Sequence, residues 1–212
     1  ALTEADAIFD EQNLYLSGRG RIRAIDRRSG KTIWKADDLG VTPEMFLLDG
    51  VLYVRTGGQF TRIKNGEIEE KGPFGISAIE TRKGKTLWRF KGADKGLTNF
   101  VFTDARTIFI ADRDDLMQID ASNGKRLQKQ EHKIEKAQFI VQNEAGQLVI
   151  GGREILSAFQ ISNSKFQKVW SVKHKPPGRG IFRIVGAIAL RATALYFRYG
   201  GLASSVYGFG RT

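Results

Sequence analysis

Residues 27–34 read RRSGKTIW, and how SGKT is read decides the fold. In a phosphate-binding P-loop, a glycine stands five residues before the glycine of Gly-Lys-Thr and lets the backbone wrap the phosphates. Here that position is Ile25. A second stretch, ETRKGKTLW (80–88), sets Gly84, Lys85 and Thr86 in the same relation, with Ile79 in the glycine slot. Two copies of one pattern, neither with the cradling glycine, describe a structural repeat rather than a nucleotide site.

Aligned on Gly30 and Gly84, the copies read Ala24, Asp26, Gly30, Lys31, Thr32, Trp34 and Ala78, Glu80, Gly84, Lys85, Thr86, Trp88. A third copy keeps Asp120, Gly124 and Lys125 but has Gln128 in the tryptophan position. A fourth keeps Ala158 and Gln160, then Ser164, and reaches Trp170 with two extra residues intervening. The glycine spacing is 54 and then 40. An inserted segment, RIKNGEIEEKGP (62–73), accounts for the longer interval, and its Asn65-Gly66 is a hairpin-turn signal. Before each copy stands a short apolar run: LYL (14–16), LYV (52–54), IFI (108–110) and LVI (148–150). Further upstream lie AIF (7–9), MFLL (45–48), FVF (100–102) and QFIV (138–141). Four short strands per unit of about 40 residues match a propeller blade. A lone four-stranded sheet cannot bury both faces, so the units must stack around an axis. The predicted class is all-β, with four to five blades, as part of a larger ring.

The pattern Ala-x-Asp-x-x-x-Gly-x-x-x-Trp resembles the repeat of the PQQ-like β-propellers, and the match is fullest in the first two copies. The resemblance implies that Trp34, Trp88 and Trp170 pack between adjacent blades, with Gly30, Gly84 and Gly124 as turn residues. SGKTIW then becomes a turn and an outer strand. Glycine supplies the left-handed turn, while Thr32, Ile33 and Trp34 favour a strand.

Charge divides the chain. All 23 acidic residues lie at or before Glu154, where 25 basic residues leave a net charge of +2. Residues 155–212 hold no Asp or Glu and carry +9. Such asymmetry fits either an anionic partner or a solvated basic face. The segment is apolar between its charges, unlike the lysine-dense track of a nucleic-acid site, so nucleic acid is not expected. Cysteine is absent, which removes disulfides and thiolate chemistry.

The domain reading is blades over 1–175, a Pro/Gly loop at 176–180 and a separate stretch at 181–212. Within that stretch, LYFRYGG (195–201) repeats LYVRTGG (52–58) at Leu, Tyr, Arg and both glycines. That predicts an incomplete fifth blade. The alternative is a basic amphipathic helix over 181–201, on which Arg183, Arg191 and Arg198 fall within an arc of roughly 80° and could lie on an anionic membrane surface.

No catalytic constellation emerges. His132 and His174 each lack a second metal ligand at zinc spacing, and ADRDD (111–115) lacks the glycine and distal glutamate of a calcium loop, which leaves a solvated turn. We therefore expect no catalytic, cofactor-binding or metal-binding residue and no small-molecule substrate. The role that the resemblance implies is a non-enzymatic scaffold that holds protein partners in a membrane-associated complex of the bacterial cell envelope or periplasm. The alternative implied by the resemblance is a quinone-dependent dehydrogenase, or a sensor using the propeller channel. Partner-contact candidates are Arg19, Arg55, Asp112 and Arg153 at strand ends, with Arg183, Arg191 and Arg198 in the basic segment.

Overall fold

The computed structural model describes residues 5–18, 20–64, 67–94, 97–135, 137–162 and 165–175. These form sixteen strands in four antiparallel sheets, each a meander whose strands pair in chain order. Sheet I holds β1 (Ile8–Phe9), β2 (Asn13–Gly18), β3 (Arg21–Asp26) and β4 (Thr32–Ala36). Sheet II holds β5 (Glu44–Leu48), β6 (Val51–Lys64), β7 (Glu67–Glu80) and β8 (Thr86–Phe90). Sheet III holds β9 (Phe100–Asp104), β10 (Thr107–Ala111), β11 (Asp115–Asp120) and β12 (Arg126–Glu131). Sheet IV holds β13 (Phe139–Gln142), β14 (Leu148–Gly151), β15 (Ile155–Ser162) and β16 (Lys165–Lys173). The apolar runs quoted above lie in the first and second strands of each sheet. The inserted segment becomes the outer part of the β6–β7 hairpin, which pairs out to Lys64↔Glu67. The Asn65-Gly66 tip lies outside the described residues.

Alternation along each strand sends one set of side chains forward to the next sheet and the other set back to the previous one. The forward row crosses the second, third and fourth strands at paired positions. It runs Tyr15–Ala24–Trp34 in sheet I, Tyr53–Ala78–Trp88 in sheet II, Phe109–Gln118–Gln128 in sheet III and Val149–Ala158–Trp170 in sheet IV. The small residue in mid-row leaves room for the indole; where glutamine replaces tryptophan, glutamine replaces alanine too.

Three apolar clusters result, each shared by two successive sheets. Tyr15, Ile22 and Trp34 of sheet I meet Met45, Leu52, Val54 and Ile79 of sheet II. Tyr53, Ile76 and Phe90 of sheet II meet Phe100, Phe102, Ile108 and Ile110 of sheet III. Phe109 and Leu116 of sheet III meet Ile140, Leu148, Ile150 and Phe159 of sheet IV. First strands of neighbouring sheets touch, β1 with β5 and β9 with β13, and Phe46 of β5 stacks on Phe102 at 4.8 Å. The core is thus a stack of interfaces, with first strands innermost, as a propeller requires.

One irregularity recurs in all four sheets. The pairing of third and fourth strands slips after Ala24, Ala78, Gln118 and Ala158. Each slip leaves one extra residue in the outer strand: Ile33, Leu87, Leu127 or Val169. All four are exposed. An extra residue bends and twists the strand locally, which swings the following forward-facing side chain toward the next sheet.

Candidate protein-interaction surfaces and the locks between sheets

The hairpins before the outer strands of sheets I, II and III are built alike. Gly30, Gly84 and Gly124 donate to the carbonyls of Asp26, Glu80 and Asp120 at 2.9, 2.9 and 2.8 Å. All three glycines hold φ between 67° and 71°, the left-handed region that disfavours a Cβ. Asp26 Oδ1 accepts from the Ser29 amide and hydroxyl, both at 2.7 Å; Asp120 Oδ1 accepts the same pair from Ser122 at 2.8 and 2.6 Å. These bonds favour the ionised carboxylate, and both aspartates titrate below their ordinary range chiefly through the serine hydroxyl. The Asp-x-x-x-Gly part of the motif is therefore a turn closed by its own side chain.

The tryptophans use those turns as sockets. The Trp34 indole lies over Gly84, where an added Cβ would stand 2.5 Å from its ring atoms. Trp88 lies over Gly124 in the same way, with Cε3 at 2.4 Å from that Cβ position. Trp34 Nε1 donates to the Thr81 carbonyl at 2.7 Å, and Trp88 Nε1 to the Ala121 carbonyl at 3.0 Å. In both locks the acceptor lies three residues before the socket glycine. Tyr53 adds its hydroxyl to the Ala121 carbonyl at 3.3 Å. Burial pushes the Tyr15 hydroxyl up to about 12, helped by its bond to Asp10. Between sheets III and IV, Gln128 occupies the tryptophan position, and its Oε1 is buried without a hydrogen-bond partner among the described residues. At Gly30 the socket holds no ring among the described residues, none of which comes within 4 Å of its Cβ position. Trp170 is 37% exposed.

The strand-end candidates meet different fates. Arg55 pairs with Glu44 at 2.9 Å, their side chains only 16% and 22% exposed, and Arg55 also donates to the Leu97 carbonyl at 3.2 Å. Glu44 accepts from the Phe100 amide at 3.2 Å, so the pair bridges sheets II and III. Burial raises the Glu44 carboxyl above its ordinary range, with Arg55 opposing. Asp112 is 2% exposed. Its Oδ1 accepts from the Asp114 and Asp115 amides at 3.0 and 2.8 Å, and its Oδ2 from the Asp94 amide at 2.8 Å. The ADRDD segment is a turn between strands as expected, but its first aspartate is buried rather than solvated. Arg153 is exposed and borders a shallow depression of about 110 Å³ with Glu135, Glu154 and Ile155. Arg19, Arg183, Arg191 and Arg198 lie outside the described residues.

His132 was missed as a core residue. It is 1% exposed, takes the Ile134 amide on Nδ1 at 3.0 Å and sets Nε2 3.0 Å from the Asp112 carbonyl. That pattern assigns the proton to Nε2. With Asp112 it ties the loop after sheet III to the β10–β11 turn. Its neighbours in sequence, Glu131 and Lys133, are exposed, which hid the burial. Among the described residues, no cluster of three or more metal-ligating side chains occurs.

Sheet meanders stacked in chain order and latched by indole on glycine define a β-propeller of the PQQ-like class. The chain belongs to the family of the outer membrane protein assembly factor BamB, whose profile matches residues 74–207. No curated protein matches the sequence. The fold is similar to the crystal structure of BamB from Moraxella catarrhalis, at TM-score 0.51 and 14% identity, over 81% of this chain and 50% of that one. It is also similar to the computationally designed Ika4 protein, at TM-score 0.52 and 11% identity, over 79% of this chain and 90% of Ika4. The chain thus spans about half the length of the BamB structure it matches.

Proposed function

We propose that the protein is a non-enzymatic scaffold of the bacterial envelope that holds a protein partner in the machinery assembling outer-membrane proteins. Membership of the BamB family supports this reading. The structural observation that carries it is the β6–β7 hairpin. Its strands run 14 residues each, against five or six for their counterparts in sheets I and III. Pairing beyond Thr56↔Gly75 adds about eight residues per strand, or roughly 25 Å at the usual rise. The hairpin leaves sheet II at the end where the other second-to-third-strand turns lie, which gives that rim a projecting arm. Strand edges on such an arm offer backbone groups to an extended partner. Arg153 belongs to the same rim.

Site-specific photocrosslinking in cells tests the reading, with the photoreactive residue placed at Ile63 or Lys71 on the arm and at Lys31 on the opposite end. The expected result is a crosslink from the arm to an outer-membrane assembly protein, and none from Lys31. Absence of any crosslink from the arm, or quinone-dependent alcohol oxidation by the purified protein, would overturn it.

A further inference from the structure

The turn before the outer strand of sheet III holds a reactive pair that its counterparts in sheets I and II lack. Asparagine followed by glycine cyclises readily, because a side-chain carboxamide stands beside a backbone amide with no neighbouring Cβ to hinder attack. The chain has two such pairs, Asn65-Gly66 and Asn123-Gly124. The second lies at a lock, since Gly124 is the residue on which the Trp88 indole rests. In sheets I and II, Ser29 and Lys83 precede the socket glycine, and neither side chain has a carbonyl to attack.

Asn123 is exposed, yet both reacting groups are held. Its Nδ2 donates to Asp120 Oδ2 at 2.8 Å and to Ser122 Oγ at 3.3 Å. Its Oδ1 accepts from the Lys125 amide at 2.8 Å. The Gly124 amide donates to the Asp120 carbonyl at 2.8 Å. While that bond holds, the nitrogen cannot give up its proton and turn on Asn123 Cγ. The indole closes the position from the other side, fixed against Gly124 by the Nε1 bond to the Ala121 carbonyl. The amide is free to react only when the turn lifts away from Trp88, a local opening whose population sets the rate.

We propose that Asn123-Gly124 is a site of spontaneous deamidation gated by the Trp88 lock, and that the reaction leaves the lock between sheets II and III open. In the opened turn the deprotonated Gly124 nitrogen bonds to Asn123 Cγ. The Cγ–Nδ2 bond breaks, ammonia leaves and a succinimide closes. Water then opens the ring at either carbonyl, with no oxidant or reductant required. Opening at Cγ gives aspartate at this position; opening at the main-chain carbonyl gives isoaspartate, with the peptide running through the side chain. Isoaspartate adds one main-chain atom between Asp120 and Gly124. The bond that closes the turn and the place of the glycine under the ring cannot then both survive. Aspartate sets a carboxylate where Nδ2 met Asp120 Oδ2, and like charges at that distance repel. Both products work against the turn, and neither restores the carboxamide.

The test uses the full chain carrying Asn65→Gln, which leaves a single Asn-Gly pair. It is incubated at mildly alkaline pH and mapped by mass spectrometry, with fragmentation that separates isoaspartate from aspartate. Isoaspartate should accumulate at position 123, in excess over aspartate, at least about tenfold more slowly in the folded chain than in urea. Trp88→Ala should raise the folded-state rate about tenfold or more. Trp34→Ala, which empties the other lock, should leave it within about twofold. Hydrogen exchange of the Gly124 amide gives a reading that needs no core substitution: it should rise in parallel with deamidation across urea concentrations below unfolding. In the purified isoaspartyl chain, the Gly124 Hα should lose its ring-current shift while Gly84 keeps its own. Absence of isoaspartate at 123 in the folded chain would overturn the proposal. So would a rate indifferent to Trp88→Ala and to Gly124 exchange, or a modified chain whose Gly124 still lies under the indole.

Discussion

Replacing each socket glycine by alanine separates a backbone effect from an interface effect in a single series. Gly30, Gly84 and Gly124 share nearly the same φ, so each alanine carries the same left-handed strain. That strain costs about 1–2 kcal/mol, offset in part by about 0.4–1 kcal/mol from restricting the unfolded chain. For Gly30→Ala no contact is added, since no atom of the described residues lies within 4 Å of the new Cβ. Its expected cost is about 1 kcal/mol. For Gly84→Ala the Cβ would stand 2.5 Å from Cδ2 and Cε3 of Trp34, so the indole must move. Displacing a packed ring costs about 1–3 kcal/mol. Losing the Trp34 Nε1 bond to Thr81 adds about 0.5–1.5 kcal/mol. The expected total is about 4 kcal/mol for Gly84→Ala, and the same for Gly124→Ala against Trp88. Urea denaturation followed by circular dichroism measures all three. At this size each kcal/mol also lowers Tm by about 2–4 °C. Combined with Trp34→Ala, Gly84→Ala should cost far less than alone, a coupling of the kind double-mutant cycles detect. Equal losses for the three glycines, or strict additivity with Trp34→Ala, would refute the lock.

Further outcomes follow from the remaining contacts. Trp88→Ala empties the second interface and should cost about 3–5 kcal/mol, whereas Trp88→Phe removes chiefly the bond to Ala121 and should cost about 1 kcal/mol; chemical denaturation distinguishes them. Gln128→Leu removes a buried acceptor that has no partner among the described residues and should stabilise by about 1 kcal/mol; a loss of similar size would show that the oxygen is satisfied. The Glu44 carboxyl is raised in the folded state, so the fold holds that proton more tightly than the unfolded chain. Its contribution to stability therefore falls as pH rises through the ordinary carboxylate value and up to the raised one. Glu44→Gln should flatten that part of the pH–stability curve; curves that run parallel would contradict it. Asp120 is lowered, so its contribution is present above the unfolded value and is lost as pH falls through the folded one. Asp120→Asn should remove that acid loss, read as a flatter melting profile below about pH 4.

The sequence carried the frame of this molecule through features that act locally. A glycine at the left-handed turn, an aspartate four residues before it and apolar runs of period two are each set by their own few residues. They placed the strands, the sockets and the hairpin insertion. The Ala–Trp spacing was also legible, because the pair faces across two neighbouring strands. What escaped reading depends on contacts from elsewhere in the chain. Arg55 and Asp112 stood at strand ends and read as exposed. Glu44 and Leu97 close over the first, and the Asp94 amide over the second. His132 sits between two exposed charged residues, and only the return of Ile134 and the Asp112 carbonyl encloses it. The Gln118–Gln128 exchange was visible at one position only. Its partner emerges once the strands are paired, since the register that aligns the two glutamines is fixed by the bulge between β11 and β12.

Ring-current shifts at the socket glycines test the central claim, that sheet I is latched to sheet II, and sheet II to sheet III, by an indole lying on the next sheet's turn. The Hα protons of Gly84 and Gly124 should be strongly shifted upfield and show nuclear Overhauser contacts to the rings of Trp34 and Trp88. Gly30, with the same turn geometry and no ring of the described residues above it, should resonate at an ordinary position. Three glycines with alike, unshifted protons and no contact to indole would contradict the stacked, latched arrangement.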